Sequence, residues 1–306
     1  MTENKASKVL ACISAVLSGI FVLLTADVIV FQKKYAELFG VSADTIEKAG
    51  TAIPYSAFAY VIFAAALIIV SVRVIMKRYT TADVIVTAVL WGVVWVAALA
   101  AYSIQVHQTM KSNFDKAMVL IPLCQLITMF AALLALAAVM AIAAAYCAVF
   151  VYGRRKAGKG LPKAAIAFSA VYVFATLAIM LLAGNKPTLV YGTAVFWVCA
   201  AAAVISAAVA LSGKGGAALL VVCLVLFAAA LSARPVCNII QSRLTAALSG
   251  SEALADYSVV SGYCGRLDFL FYIGVTLAVC GAARNMYTVK DNGLTDTTSE
   301  ISPEIS

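Results

Sequence analysis

Residues 188–211 of the chain read TLVYGTAVFWVCAAAAVISAAVAL, without one formally charged side chain. A helix needs about 20 apolar residues to cross the roughly 30 Å hydrocarbon core of a bilayer, and this segment is long enough. Its apolar residues are continuous, whereas a strand of an outer-membrane barrel alternates apolar and polar positions. Because lipid offers no partners to unpaired backbone groups, the segment is predicted to be a transmembrane α-helix.

Seven more segments share this character, so the sequence predicts an all-α integral membrane protein with a bundle of about eight transmembrane helices. The polytopic domain is predicted to cover residues 1–284. The predicted spans are approximately 9–31, 53–76, 84–104, 118–152, 164–183, 188–211, 217–233 and 267–283. Residues 285–306 are polar, and we expect them to form a disordered cytoplasmic tail because they have too little apolar surface to fold alone.

The composition of the whole chain agrees with this class. Hydrophobic residues make up 64% of the 306 positions, charged residues 12%, and the mean hydropathy is +1.01. Soluble domains carry about 25% charged residues. These figures exclude a soluble globular protein, a disordered chain and a nucleic-acid-binding module.

The basic residues predict an orientation. The formal net charge is +8, and Lys and Arg number 13 on the side of the termini against 9 on the other side. The loop 153–163, GRRKAGKGLPK, has five basic and no acidic residues. Cytoplasmic loops carry the excess of positive charge, so both termini are predicted to lie in the cytoplasm and the protein in the plasma membrane.

Two connections show local signals for helix ends. In the predicted outer loop 32–51, Gly40 and Gly50 are expected to end short helical pieces. At the start of the third span, Thr80, Thr81 and Asp83 offer the side-chain oxygens that cap a helix.

Two segments depart from the simple pattern. Residues 118–152 are longer than a crossing needs, and Pro122 lies near their start. A strong tilt, a first part outside the hydrocarbon core and a re-entrant half-helix are all compatible with this length. Residues 234–266 are predicted to be the largest outer loop, with an amphipathic helix that either lies on the membrane surface or packs on neighbouring span ends.

The eight cysteines include six within predicted spans, where they act as small apolar residues. Cys237 and Cys264 both fall in the predicted outer loop. In an oxidising compartment they are candidates for a disulfide. With no CxxC motif and His107 as the one histidine, no metal site is predicted.

No catalytic constellation is recognisable. His107 has no companion base or ligand in the sequence pattern, and HExxH, Walker and GxGxxG motifs do not precede a suitable helix. The chain is therefore predicted not to be an enzyme and to need no cofactor.

Charged side chains within the predicted spans are few. Arg73 is close enough to the inner end of its span to extend to the interface. Asp268 begins the eighth span and has Arg266 as a candidate partner. Asp27 lies near the outer end of the first span, where it either pairs with a basic residue or lines a vestibule.

Further polar and aromatic residues fall at mid-span. Trp91, Trp95 and Trp197 either line a cavity for an apolar solute or pack in the ordinary way with a bonded indole N–H. Gln125 is a further intramembrane polar candidate. The echo between TAVLW at 87–91 and TAVFW at 193–197 suggests an inverted repeat, which in many transporters flanks the substrate site.

Two functions follow from these observations. The first is a non-enzymatic membrane protein that acts through protein or lipid contacts, as a subunit, scaffold or assembly factor. The second is a transporter or channel for a neutral or hydrophobic small solute. The expected partners are the lipid bilayer and a protein partner or second copy of the chain, without nucleic acid.

Overall fold

The computed structural model describes residues 5–152, 160–183, 187–212 and 217–295. Within these ranges the regular structure is α-helical and contains no strand, which confirms the all-α prediction. The helices are α1 (Lys5–Val30), α2 (Gln32–Leu38), α3 (Ala43–Ala49), α4 (Tyr55–Ile75), α5 (Thr81–Ser112), α6 (Phe114–Tyr152), α7 (Gly160–Leu182), α8 (Tyr191–Leu211), α9 (Ala217–Arg266) and α10 (Asp268–Thr295).

Eight helical segments are long and apolar enough to cross a membrane, as the sequence predicts. Six of them lie close to the predicted spans, and the last two are longer. The segments are Ser7–Val30, Tyr55–Ile75, Thr81–Ser112, Phe114–Val149, Gly160–Leu182, Tyr191–Leu211, Ala218–Thr245 and Glu252–Ala283.

The chain divides into two compact units, Met1–Val149 and Phe150–Ser306. The core of the first unit, unit 1, contains the buried side chains Phe21, Leu67 and Ile127 from α1, α4 and α6. Unit 2 contains α7 to α10. Large aromatic rings occupy its interior, since four of them are fully buried, namely Tyr172, Phe196, Phe227 and Phe271.

Unit 1 has two short helices between its first two long ones. The Ser42 side chain accepts a hydrogen bond from the backbone N–H of Thr45 and so caps the start of α3. Gly40 and Gly50 follow α2 and α3 with φ of +82° and +62°, a region that glycine adopts without steric cost. The sequence predicts both helix ends at these glycines, and the structure confirms them.

The turn between α4 and α5 is held by a capping box and an ion pair. The Asp83 carboxylate accepts from the backbone N–H of Thr80 at 2.6 Å and from the Arg73 guanidinium at 2.9 Å. The predicted capping at the start of the third span is thus confirmed. Arg73 is about half exposed but pairs with Asp83 across the turn.

The predicted outer loop 234–266 is helical instead. The helix α9 runs through this region, and the Tyr257 hydroxyl lies 3.2 Å from Oδ1 of Asn238. Nineteen residues of straight helix would separate these groups by about 28 Å, so the chain reverses between them. The result is a helical hairpin whose arms belong to the spans Ala218–Thr245 and Glu252–Ala283.

Two other predicted segments also differ. The helix α6 is continuous through Pro122, so residues 118–152 contain no re-entrant half-helix. The helix α10 continues to Thr295, well into the segment predicted as a disordered tail. The remainder of that prediction, residues 296–306, lies outside the described residues.

Candidate functional site

The residues predicted for an intramembrane site are not gathered around one cavity. Trp91 packs against the core of unit 1, Trp95 is half-buried, and Gln125 is exposed on α6. Asp27 accepts a 2.5 Å hydrogen bond from the Tyr35 hydroxyl of α2 instead of pairing with a basic residue. This bond is the main cause of the raised pKa of Tyr35, so the phenol keeps its proton and donates to Asp27 at neutral pH.

Trp197 shows the packing alternative. It is half-buried in unit 2, and its indole N–H donates to the Thr176 hydroxyl at 2.8 Å. The same hydroxyl donates to the carbonyl of Tyr172 at 2.7 Å. The polar atom of this ring is therefore satisfied by a neighbouring helix.

The predicted disulfide is not formed. All eight cysteines are free thiols, with Cys264 buried and Cys237 partly exposed. The prediction depended on an extended outer loop that brings the two together. The helical hairpin fixes them on opposite arms of α9 at separate positions, and Cys264 faces the interior of unit 2.

The interior of unit 2 contains a buried ion pair that the sequence reading did not identify. The guanidinium of Arg234 contacts the carboxylate of Asp268, and the two residues are 8% and 7% exposed. Arg266, the predicted partner of Asp268, is exposed and lies over the ring of Tyr263 instead. The pair joins the first arm of α9 to the start of α10.

Two features of the chain bring these groups together. The first arm of α9 continues as helix beyond the apolar run that ends at residue 233, and so keeps Arg234 inside unit 2. The second arm is interrupted at Leu267, whose N–H donates to the carbonyl of Cys264 at 3.0 Å. Asp268 then begins α10, where the N-terminal end of the helix dipole favours its negative charge.

The ion pair lies deep within the apolar length of the helices. The Tyr172 hydroxyl is 3.5 Å from Asp268, and Tyr172 is roughly 18 Å from the start of α7 and 15 Å from its end along the helix axis. A charge at such a depth is costly unless it is paired. The sequence reading placed no charge at mid-bilayer, and this pair corrects it.

Aromatic rings surround the pair. The Arg234 guanidinium carbon lies 4.3 Å from the centroid of the Phe196 ring, a cation–π geometry. Phe196 stacks on Phe271 with 4.3 Å between centroids, and Phe271 is 5.5 Å from the Tyr172 ring. This cluster excludes water from one side of the pair and strengthens the attraction between its charges.

A second group of contacts fixes the helix that carries Arg234. An added Cβ on Gly192 of α8 would collide with Oδ1 of Asn238 and would lie 3.0 Å from the carbonyl oxygen of Arg234. Glycine is therefore required for this close approach of α8 and α9. Tyr257 on the second arm then donates to Asn238.

Each unit also has a glutamine that binds the backbone before its second long helix. Gln105 accepts from the N–H of Tyr55 at 2.8 Å and donates to the carbonyl of Ile53 at 2.7 Å. Gln241 accepts from Tyr191 at 2.7 Å and donates to Leu189. These buried side chains satisfy backbone groups just before α4 and α8 begin. We call each such arrangement a glutamine clamp.

Replacing Gln105 or Gln241 with leucine is expected to lower the free energy of unfolding by about 1–3 kcal/mol, because each change leaves a buried N–H and C=O unpaired. Thermal unfolding of the purified chain in detergent measures this. The matched control is Gln125→Leu on the exposed face of α6, where a change of less than about 0.5 kcal/mol is expected. A loss of similar size in the control would contradict the assigned roles.

The contents of the interior limit the chemistry of the site. A cavity of about 10 Å³ beside Phe227 is lined by Cys199, Ala203, Val275 and other apolar side chains, and it has room for roughly one water molecule. Within residues 5–152, 160–183, 187–212 and 217–295, no three His, Cys, Asp or Glu side chains are grouped closely enough to hold a metal ion. The arrangement can hold two opposite charges in a dry environment.

Comparison of the chain with protein-family models, with curated proteins and with solved structures finds no match.

Proposed function

We propose that the chain is a multi-pass protein of the plasma membrane that acts through contacts with proteins or lipids, as a subunit, scaffold or assembly factor, and not as an enzyme. The observation that carries this proposal is that the interior polar groups of unit 2 engage one another. Arg234 pairs with Asp268, Trp197 donates to Thr176, and Tyr257 donates to Asn238. Groups that are satisfied in this way stabilise a sealed bundle and leave recognition to the outer surface.

The outer surface suits such contacts. On α5, the exposed residues Ile85, Val89, Val93 and Val96 follow one another at helical spacing. An apolar face of this kind fits lipid tails or another membrane helix.

The test is reconstitution of the purified chain into liposomes together with cross-linking in native membranes. We expect cross-linking to yield a fixed-stoichiometry complex with a protein partner or second copy, and we expect no release of entrapped neutral solutes above protein-free liposomes. A chain that stays uncomplexed and releases solute would overturn the proposal.

A transporter or channel for a neutral or hydrophobic solute is the second candidate. It is favoured by the ion pair, because ionisable residues within membrane helices frequently mark transport pathways. If solute release is observed, the variant Arg234→Met/Asp268→Leu distinguishes the routes. Release that disappears in this variant would assign the pathway to unit 2.

We further propose that both termini lie in the cytoplasm, since the loops on that side have the larger number of basic residues. A protease-cleavable tag at either terminus is expected to be protected in intact cells. The same tag inserted next to the exposed Lys48 of α3 should be cleaved from outside. Cleavage at the termini with protection at Lys48 would reverse the orientation.

A further inference from the structure

The helices of the two units correspond at a constant separation in sequence. The helices α4 (Tyr55–Ile75) and α8 (Tyr191–Leu211) both have 21 residues, and each position of α8 follows its counterpart in α4 by 136 residues. The next helices, α5 and α9, begin at Thr81 and Ala217, again 136 apart.

The buried faces of α4 and α8 coincide under the same separation. Each helix has nine buried positions, and all nine pairs match. They are Ser56, Ala57, Tyr60, Phe63, Ala64, Leu67, Val70, Ser71 and Val74 in α4, and Gly192, Thr193, Phe196, Cys199, Ala200, Ala203, Ser206, Ala207 and Ala210 in α8. A shared helical period aligns two such faces in several registers, so further contacts are needed to select one.

The glutamine clamps select the register. In each unit the glutamine is 50 residues from the N–H that it accepts from and 52 residues from the carbonyl that it donates to. A threonine four residues later, Thr109 or Thr245, donates to the carbonyl of that glutamine at 2.7 or 2.9 Å. Polar contacts of this detail do not follow from helical period.

The last helix of unit 1 corresponds to the second arm of α9 together with α10, at a separation of 137 residues. The buried side chains there match in pairs. They are Leu120, Leu123, Ile127 and Leu134 in α6, and Tyr257, Val260, Cys264 and Phe271 in α9 and α10. The separation is one residue larger than for the preceding helices, so unit 2 has one additional residue between its clamp and this arm.

The outer pair of helices corresponds as well. In unit 1 the Ser14 hydroxyl of α1 donates to the carbonyl of Ala137 in α6 at 2.8 Å. In unit 2 the Ser169 hydroxyl of α7 lies 2.6 Å from the Cβ position of Gly274 in α10, which follows Ala137 by 137 residues. The separation of α1 from α7 differs because the short helices α2 and α3 of unit 1 lie between its first two long helices.

We infer that the chain is a tandem duplication of one four-helix unit, and that the Arg234–Asp268 pair is a site confined to the second copy that the four-helix fold does not require. The matching positions of unit 1 hold Ala98, at the separation of 136, and Ala131, at the separation of 137, and both are buried. The helix α6 is also continuous where α9 and α10 are interrupted at Leu267. The same helix arrangement therefore forms around alanine at both positions.

The repeat differs from the one that the pentapeptide echo suggests. Residues 87–91 and 193–197 are out of register with the separation of 136, and they fall on the third helix of one unit and the second helix of the other. The duplicated units follow each other in the same helix order, so the echo arises from the biased composition.

An experimental structure of the full chain in a lipid nanodisc tests the duplication. Superposition of 55–75 and 81–112 on 191–211 and 217–248 is expected to place Gln105 on Gln241 and Tyr55 on Tyr191. A best superposition in any other register would overturn the inference.

Thermal unfolding of the full chain in detergent tests the status of the ion pair. The single variant Asp268→Leu is expected to lower the midpoint by roughly 10 °C, because it leaves Arg234 buried without its partner. The double variant Arg234→Met/Asp268→Leu, which has apolar side chains of similar size, is expected to unfold within about 4 °C of the unsubstituted chain. A double variant as unstable as the single one would show that the pair belongs to the fold.

Discussion

Substitution of Asp268 by leucine is expected to lower the free energy of unfolding by about 3–5 kcal/mol, the largest effect of any single change considered for this protein. The guanidinium of Arg234 would keep its charge at 8% exposure, among the rings of Phe196, Phe271 and Tyr172. Its attraction to the Phe196 ring offsets only part of the lost ion pair, since a cation–π contact contributes about 2 kcal/mol when desolvated.

The matched control is Asp44→Leu, which removes the acidic partner of an exposed pair. Asp44 and Lys48 are 2.6 Å apart on α3, and their side chains are 72% and 59% exposed. Such pairs contribute at most about 1 kcal/mol. If both aspartate variants lost the same small amount, the buried charge centre would not exist in solution.

Substitution of Gly192 by valine has the second largest expected effect. The new Cβ would lie 3.0 Å from the backbone carbonyl of Arg234 and still closer to the Asn238 amide. Overpacking of this kind costs about 1–3 kcal/mol, and displacement of Asn238 also weakens its hydrogen bond with Tyr257, worth about 1 kcal/mol. The loss should appear as a lower thermal midpoint of the purified chain in detergent.

Alanine at the same position should cost less than valine, because it lacks the branched carbons that meet the α9 backbone. Gly19→Ala in α1 provides the control, since nothing lies within 4 Å of its Cβ position. There we expect a gain of up to about 1 kcal/mol from the better helix propensity of alanine. A stable Gly192→Val variant would show that α8 and α9 do not approach as closely as described.

Much of the fold follows from the sequence because membrane helices are marked by local composition. Each long apolar run must form a helix to satisfy its own backbone, so the number of spans and most of their limits can be read without tertiary information. The capping box at Thr80 and Asp83 and the glycine at position 40 are equally local. These features are the ones that the structure confirms.

The charge centre could not be found in the same way. The apolar run of the seventh span ends at Arg234, and a charged residue normally ends a transmembrane segment. Asp268, which neutralises it, lies 34 residues later and on another helix, so that only the folded unit shows the pairing. The misplaced outer loop, and with it the predicted disulfide between Cys237 and Cys264, followed from that one boundary.

The glutamines illustrate the same limit. Gln125 attracts attention because it falls in mid-span, yet it is exposed. Gln105 and Gln241 lie towards the ends of their segments and hold the chain before α4 and α8. One signal in the sequence does reveal them: a comparison of the chain with itself at a separation of 136 aligns the two glutamines, the tyrosines at 55 and 191 and the threonines at 109 and 245.

Chemical labelling of Cys264 tests the central claim, a sealed interior in unit 2, most directly. This thiol is fully buried and close enough to Arg234 and Asp268 to be influenced by both charges. Membrane vesicles are treated with a small water-soluble maleimide on both sides, and peptide mapping locates the label. A Lys48→Cys variant is the positive control, and labelling after denaturation in detergent shows that Cys264 is chemically competent.

The account predicts that Cys264 stays unmodified in the folded protein, while the thiol introduced by the Lys48→Cys substitution is fully labelled. Labelling of Cys264 at a rate comparable to the control would mean that water reaches the ion pair. That result would contradict the sealed bundle and favour a solute pathway through unit 2.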